Sequence, residues 1–466
     1  MEAEFLRLLE DLSSYLRIRE IRGWTYRFVG CNWALLVCGV MLETGFTVFL
    51  LFTDLNSLTA LPSLFFVLFF LYLFSLWVKN KTKIGRDGLV IIIIFAVAFR
   101  LTVLFSGPVF SFDFYRYIWD GKVGASGINP YLYPPDSTEL SSLRDANWQL
   151  INHKYLRTGY PPLMEMLFEL LYLTFRTAIS YKATFFLFDL ATVATVCLML
   201  SELKLNLSNA MIYAWAPLPI VEIVQTGHND SIAVFLVLLS FLFLLRKQNR
   251  SSAAVMALAV LAKLYPIFFA PIILRRWGKQ GTLIFVALIV GFHMPYAGIG
   301  LEIYRGLFYA MNTANFNGSI FPLVTGLLEW IQLAFNPGLA SQIAVYAAYI
   351  SLLFWALLRS NLRDYTASSL IKMTFLLTGA VLLLNRSFFP WYMVWIIPFL
   401  AFYTLPSWLL LSGTIFLGYM KYDSFPPPPF EAVDPQTALI INLAEYAPFY
   451  AILAYELLKH RLNLIV

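Results

Sequence analysis

Residues 79–122 read KNKTKIGRDGLVIIIIFAVAFRLTVLFSGPVFSFDFYRYIWDGK, and the fold is decided here. Lys79, Lys81, Lys83 and Arg86 precede a run from 88 to 110 whose one charge is Arg100, and a polar motif from Ser111 to Lys122 follows. A helix needs about 20 predominantly apolar residues to cross the hydrocarbon core of a bilayer. Lysine and arginine collect on the cytoplasmic side of such spans. The stretch therefore predicts a cytoplasmic link, a crossing, and a polar segment delivered to the outer face. The rest of the chain agrees: of 466 residues, 60% are hydrophobic, 17% aromatic and 13% charged, with a mean hydropathy of +0.71. That is far more apolar than a soluble domain. The length has room for on the order of a dozen spans. The predicted fold class is all-α, a polytopic transmembrane helical bundle with a long external loop after an early span carrying short amphipathic helices.

Outward from this stretch, earlier apolar runs lie at about 28 to 53 and 59 to 78. Later basic groups (Arg246, Lys247 and Arg250; Arg275, Arg276 and Lys279; Arg359 and Arg363; Lys459, His460 and Arg461) mark further cytoplasmic turns and place both termini on that side. The formal charge of +6 is explained by these turns and implies no nucleic-acid partner. Residues 1–27 read as a cytoplasmic interfacial amphipathic helix, and 28–466 as a single multi-span membrane domain that includes an external catalytic loop, 111–160. Outer loops are expected near 297–319, 385–389 and 421–437, the last stiffened by Pro426 to Pro429. Cys31, Cys38 and Cys197 have no paired spacing and indicate neither a disulfide framework nor a zinc site.

Two places break the regular alternation. Segments 252–262 and 265–274 are each half a span, separated by Lys263-Leu264-Tyr265-Pro266, which predicts a helix that enters, breaks and returns beside a polar cavity. Four apolar segments (162–177, 183–200, 207–224 and 231–246) lie between the outer loop and the next basic turn, where an odd number of crossings is required. Either the segment holding Pro217 and Pro219 is broken or re-entrant, or the amphipathic 162–177 lies at the interface.

The polar residues within this frame are the candidates for chemistry. In a helix, Asp113, Arg116, Tyr117 and Asp120 share one face, with carboxylates suited to acid/base work and an arginine suited to a phosphate. Asn129-Pro130-Tyr131 and Tyr160-Pro161-Pro162 fix turns and offer aromatic faces to a sugar. His228, Asn229 and Asp230 open a strongly apolar span, where ionisable groups are costly unless they face a cavity. Lys263 and Arg386 lie between apolar runs and are the chosen cations for a phosphodiester; pairing with Glu222, Asp230 or another acid is the alternative.

The order of these motifs resembles the GT-C superfamily of multi-span glycosyltransferases, and most of all its polyprenyl-phosphate-mannose-dependent mannosyltransferases. These include prokaryotic members and the catalytic subunit of glycosylphosphatidylinositol mannosyltransferase I. The resemblance rests on Asp113, Asn129-Pro130-Tyr131, Tyr160 to Leu163, Asn229-Asp230, Lys263 to Pro266 and Phe389 to Tyr392, over roughly residues 88–405. Where eukaryotic relatives have Asp-x-Asp, this chain has Ser111-Phe112-Asp113, one carboxylate fewer; the pattern from 113 to 121 is closer to prokaryotic members.

The resemblance implies a GT-C type bundle that moves a hexose, mannose above all, with inversion, from a polyprenyl-phosphate carrier to a lipid or glycan acceptor. It implies Asp113 and Asp120 as catalytic groups and Arg116, His228, Lys263 and Arg386 at the donor phosphate. Tyr117, Asn129, Tyr131, Asn229, Asp230, Tyr265 and Trp391 would bind substrate. The resemblance fixes no cofactor; a divalent cation (Mg or Mn) is an option that the single carboxylate weakens. Membrane lipid is the surrounding partner, and the place is a bacterial cytoplasmic (inner) membrane with the site on the periplasmic face. A transporter or flippase of a lipid-linked sugar is the alternative, and a non-catalytic subunit a third reading that the presence of Asp113 disfavours.

Overall fold

The computed structural model describes residues 32–53, 60–332, 336–360, 366–421 and 433–459. The expected interfacial helix at 1–27, Arg363, Pro426 to Pro429, His460 and Arg461 lie outside the described residues. The chain is an all-α polytopic helical bundle. In order it forms α1 (Trp33–Thr53), α2 (Ala60–Lys81), α3 (Arg86–Leu104), α4 (Asp113–Ala125), α5 (Pro162–Thr174), α6 (Ala178–Glu202), α7 (Asp230–Leu245) and α8 (Asn249–Ala262). Then follow α9 (Leu274–His293), α10 (Arg305–Thr313), α11 (Ile320–Trp330), α12 (Pro337–Ser360), α13 (Ala367–Leu384), α14 (Pro406–Thr414) and α15 (Pro435–Leu458). Eight of the described helices are long and apolar enough to cross a membrane, nine if Leu207–Ala214 and Pro217–Gln225, bent by 48°, count as one span.

Polar contacts identify the two ends of the bundle. At one end, Lys79 of α2 donates to Asn209 (2.7 Å) and Arg246 after α7 pairs with Glu202 of α6 (2.7 Å), so the basic turns gather there. At the other end, Lys182 near the start of α6 donates to the carbonyl of Ser106 after α3 (2.6 Å). Between the outer loop and Arg246 the chain therefore makes three passes: α6, the bent pair, and α7. The count comes out odd because α5 is no pass at all. It packs on α4 so closely that a Cβ on Gly121 would lie 2.4 Å from the carbonyl oxygen of Phe168. Tyr181 also donates to that oxygen (2.8 Å). The bend and a non-crossing α5, offered by the sequence as alternatives, occur together: α5 has 13 residues and is not among the helices long and apolar enough to cross.

The bend at Ala216-Pro217 exposes carbonyls that a straight helix would satisfy. Side chains replace the missing donors: Tyr72 to Ile212 O (2.6 Å) and Arg100 Nη1 to Ala214 O (2.7 Å). Arg100 Nε also meets Asp189 at 2.5 Å, both side chains are fully buried, and Tyr213 donates to the same carboxylate. Arg100 is thus spent on the bend and does not reach the outer site.

The expected re-entrant segment is present. α8 ends at Lys263 in extended backbone (φ −152°, ψ 139°), and two 3-10 turns, Tyr265–Phe268 and Ala270–Ile272, lead back. Trp277, just beyond, donates to Ser252 near the start of α8 (3.0 Å), so the excursion begins and ends at one level. α13 repeats the device: it rises to Leu384, returns through 3-10 turns Pro390–Trp395 and Ile397–Ala401, and is closed by Tyr403 donating to Ser368 O (2.9 Å).

Removing one member of a buried ion pair costs about 3–5 kcal/mol, because the other is left uncompensated. Arg100→Met is expected to lower the thermal midpoint in detergent sharply, and Arg100→Met with Asp189→Leu to recover part of the loss. A single variant as stable as the wild type would refute the role given to this pair.

Candidate active site

The breaks at Lys263 and at 385–390 open toward the N-terminus of α4, and a cavity of about 540 Å³ lies between them. Its wall comes from the start of α4, the loop 152–161, Lys263-Leu264, one side of α10, 385–392 and Tyr419. α4 begins at Asp113, whose N–H is met by Ser111 Oγ (3.2 Å). One carboxylate oxygen of Asp113 accepts from Asn152 Nδ2 at 3.1 Å. One turn on, Arg116 Nε meets both oxygens of Asp120 (2.8 and 2.9 Å), and its Nη1 donates to Leu156 O (2.9 Å). Arg116 Nη2 is buried with no hydrogen-bond partner among the described residues. A buried, unsatisfied guanidinium N–H is costly unless a ligand completes it.

Lys263 forms the opposite part of the wall. Its Nζ is 2.6 Å from Asp230 Oδ2 and lies over the rings of Tyr392 (5.4 Å) and Trp395 (5.8 Å). Trp395 Nε1 donates to the other oxygen of Asp230 (2.5 Å), and Tyr265 stacks on Trp395 at 4.1 Å. An aromatic stack runs beside it: Phe316 on Phe389 (4.6 Å), Phe389 on Trp391 (4.4 Å), and Trp391 on His228 (4.1 Å). His228 Nδ1 lies 3.2 Å from Glu222, whose carboxylate accepts from Tyr419 OH (2.9 Å).

Of the residues expected from sequence, Asp113, Arg116, Tyr117, Lys263 and Trp391 line the cavity together. Asp230, His228, Asn229 and Tyr265 are buried and stand behind the wall, Asn229 touching Tyr117 through its backbone. Asp120 also falls behind: it holds Arg116 and does not face the cavity, so its place is positional rather than catalytic. His228 is likewise outside the lining, stacked on Trp391 at 4.1 Å with its Nδ1 3.2 Å from Glu222. Arg386 turns away, its Nη1 on Asn312 O (2.7 Å) and its guanidinium 5.5 Å from the Phe321 ring centre. Asn129 and Tyr131 are absent from the main lining: Asn129 Oδ1 caps the turn through Tyr131 N–H (3.0 Å), and Tyr131 OH donates to Tyr160 O (2.6 Å).

The sequence reading missed Asn152, Tyr392 in its contact with Lys263, and Tyr419. Asn152 stands in a loop with no motif around it. Its one signal, an amide in the long outer loop, is too common to single it out. Among the described residues no group of three or more His, Cys, Asp or Glu could hold a metal ion. Asp113 is the one carboxylate in the cavity lining, so this donor set does not fit a divalent-cation centre built by protein ligands.

Behind Asp120, Glu165 of α5 is fully buried and accepts from Thr158 (2.6 Å). Burial, with the Asp120 charge adding to it, holds the Glu165 carboxyl well above the ordinary glutamate range.

A multi-pass membrane protein with a carboxylate, a lysine and stacked rings around one cavity at one end of its bundle has the groups for acid/base work and for holding an anion. Residues 34–279, just over half the chain, match the family described as alpha-(1→6)-mannopyranosyltransferase, N-terminal domain, and the chain belongs to that family, whose chemistry is the transfer of mannose. No curated protein and no solved structure matches the chain. The matched region carries Asp113, Arg116, Asn152 and Lys263, whereas α10, 385–392 and Tyr419 lie beyond it.

The raised Glu165 makes the folded state bind a proton that the unfolded chain releases. Its effect on stability is smallest below the ordinary glutamate range, and stability is lost as pH rises from there toward the raised value. Glu165→Gln is expected to flatten the fall of the thermal midpoint as pH rises above the ordinary glutamate range. An unchanged pH dependence would count against a protonated Glu165.

Proposed function

We propose that this protein is a GT-C type, inverting mannosyltransferase that moves mannose from a polyprenyl-phosphate carrier to a hydroxyl of a lipid or glycan acceptor, forming an α-(1→6) bond. The observation that carries the reading is that Asp113, at the start of α4, and Lys263, at the break after α8, face one cavity. The acceptor hydroxyl gives its proton to the Asp113 oxygen not held by Asn152. As its oxygen bonds to C1 of mannose from the face opposite the phosphate, the C1–O bond to phosphate breaks and polyprenyl phosphate leaves. Lys263 and the uncommitted Nη2 of Arg116 stabilise the departing charge, which in a water-poor site is worth far more than in bulk water.

Asp230 keeps Lys263 over the stacked Tyr392 and Trp395 rings, Asp120 holds Arg116, and Asn152 fixes Asp113. All three are positioning residues. The apolar side of α10, with Leu307, Ala310 and Met311 in the wall, is suited to a polyprenyl chain arriving from the bilayer. The cavity lies at the end opposite the basic turns, which supports a periplasmic site in a bacterial inner membrane. The family's mannose transfer favours the transferase reading over a flippase.

In membranes supplied with radiolabelled polyprenyl-phosphate mannose, Asp113→Asn is expected to reduce transfer by about 10²–10⁴-fold. Lys263→Ala is expected to reduce it by roughly 10²-fold or more, and chelator to leave the wild type active. Full activity in Asp113→Asn would sink the base assignment; protein-dependent movement of the lipid between leaflets without transfer would establish the flippase.

If Asn152 orients the base, Asn152→Ala lowers kcat about tenfold through misplacement of the reacting group, while KM for the donor stays unchanged. A rise in KM at constant kcat would make Asn152 a substrate contact.

A further inference from the structure

A second cavity, about 340 Å³ and more open than the first, lies at the far end of α4. Its wall includes Gly124, Gly127, Asn129, Glu169 of α5, and Pro295-Tyr296 ahead of α10. No step of the proposed transfer uses it. Its polar groups are nonetheless poised for a ligand. The Glu169 carboxylate makes no ion pair or hydrogen bond among the described residues. Asn129 spends its oxygen on Tyr131 N–H (3.0 Å), which leaves Nδ2 to donate. Tyr296 brings a phenol whose ring is held edge-on to Tyr131, centroids 5.1 Å apart. The backbone makes room for the carboxylate: a Cβ on Gly124 would lie 3.1 Å from Glu169 Oε2, and the chain then turns at Gly127 with φ +75°.

The geometry points to a saccharide subsite, which binds a sugar unit of a glycan acceptor some distance from the hydroxyl that reacts. A carboxylate accepts from adjacent sugar hydroxyls, an amide donates to one, and a tyrosine ring covers the C–H face. No cation stands in this lining, which makes it a poor anion site. A lipid chain would strand the Glu169 charge in an apolar contact.

The two cavities are joined structurally. Tyr131 OH donates to Tyr160 O (2.6 Å), Tyr160 lines the main cavity, and the stretch that supplies Tyr296 runs on into α10, which walls it. The identity of the bound sugar as part of the acceptor rests on the transferase reading; the presence of a saccharide site does not.

The test is calorimetric titration of α-(1→6)-linked mannotriose into the full-length protein in nanodiscs, beside Glu169→Gln and Tyr296→Phe, with thermal midpoints taken to confirm folding. Wild-type binding weakened roughly tenfold or more by Glu169→Gln, and less by Tyr296→Phe, is expected from the loss of a charge-assisted hydrogen bond. Transfer to a single-mannose acceptor should be unchanged in Glu169→Gln, with KM raised for the trisaccharide alone. No wild-type binding, or equal binding in all three folded proteins, overturns the subsite. Glu169-dependent binding without any transfer from polyprenyl-phosphate mannose would keep the subsite and sink the donor reading.

Discussion

The ion pair between Lys263 and Asp230, with Trp395 on the second carboxylate oxygen, is the contact on which the reaction end of this bundle depends. A membrane bundle is made of helices because an apolar surrounding offers the backbone no other hydrogen-bond partners. To bring side chains to a point, the chain has to interrupt those helices, and each interruption needs its own satisfaction. Lys263 ends α8, Asp230 starts α7, and Trp395 sits in the turns that bring α13 back. One polar contact therefore joins the two interrupted segments and the helix that opens between them. The charges neutralise each other, and the rings of Tyr265, Tyr392 and Trp395 stack beside them. Such a pair adds little net stability over an apolar filling; what it provides is register.

The same logic explains how much the sequence revealed. The interruption at Lys263 to Pro266 was legible because half-length apolar runs around a lysine and a proline have few other uses. The bend at Pro217 and a non-crossing α5 were both visible, but each alone corrects the parity of crossings. Only the polar contacts at the two ends show that the bend completes a single pass. Asp113 and Arg116 were legible through helical spacing on a polar motif. Spacing, however, ranks side chains by face and not by depth, so Asp120, on the same face two turns on, turned out to hold Arg116 behind the cavity. Arg386 was misplaced for a similar reason: an isolated cation between apolar runs needs some partner, and Asn312 O with the Phe321 ring serves as well as a phosphate. Asn152 and Tyr419 reach the site through loop closure and a long-range contact, neither of which leaves a periodic trace.

The cavity thus combines two kinds of precision. Asp113 and Arg116 are fixed by short-range contacts within α4 and the loop clamped on it, where His153 takes a left-handed backbone (φ 48°) beside Asn152. Strain of that kind persists only where neighbours over-determine it. The opposite wall is set by stacking, from Phe316 through Phe389 and Trp391 to His228, in which each ring fixes the tilt of the next. Polar groups define where charge is placed, and the rings define what shape is admitted.

These two walls come from different stretches of the chain. The charged groups all precede residue 279, inside the region shared with the family, while the stacked rings other than His228 and Tyr265, and the helix facing them, follow it. Substitution in the later stretch, outside Tyr392 and Trp395, can reshape what docks without moving Asp113 or Lys263. A lineage that altered only its second half would retain its reaction and change its customer, so divergence among such enzymes is expected to be read in the rings before it is read in the charges.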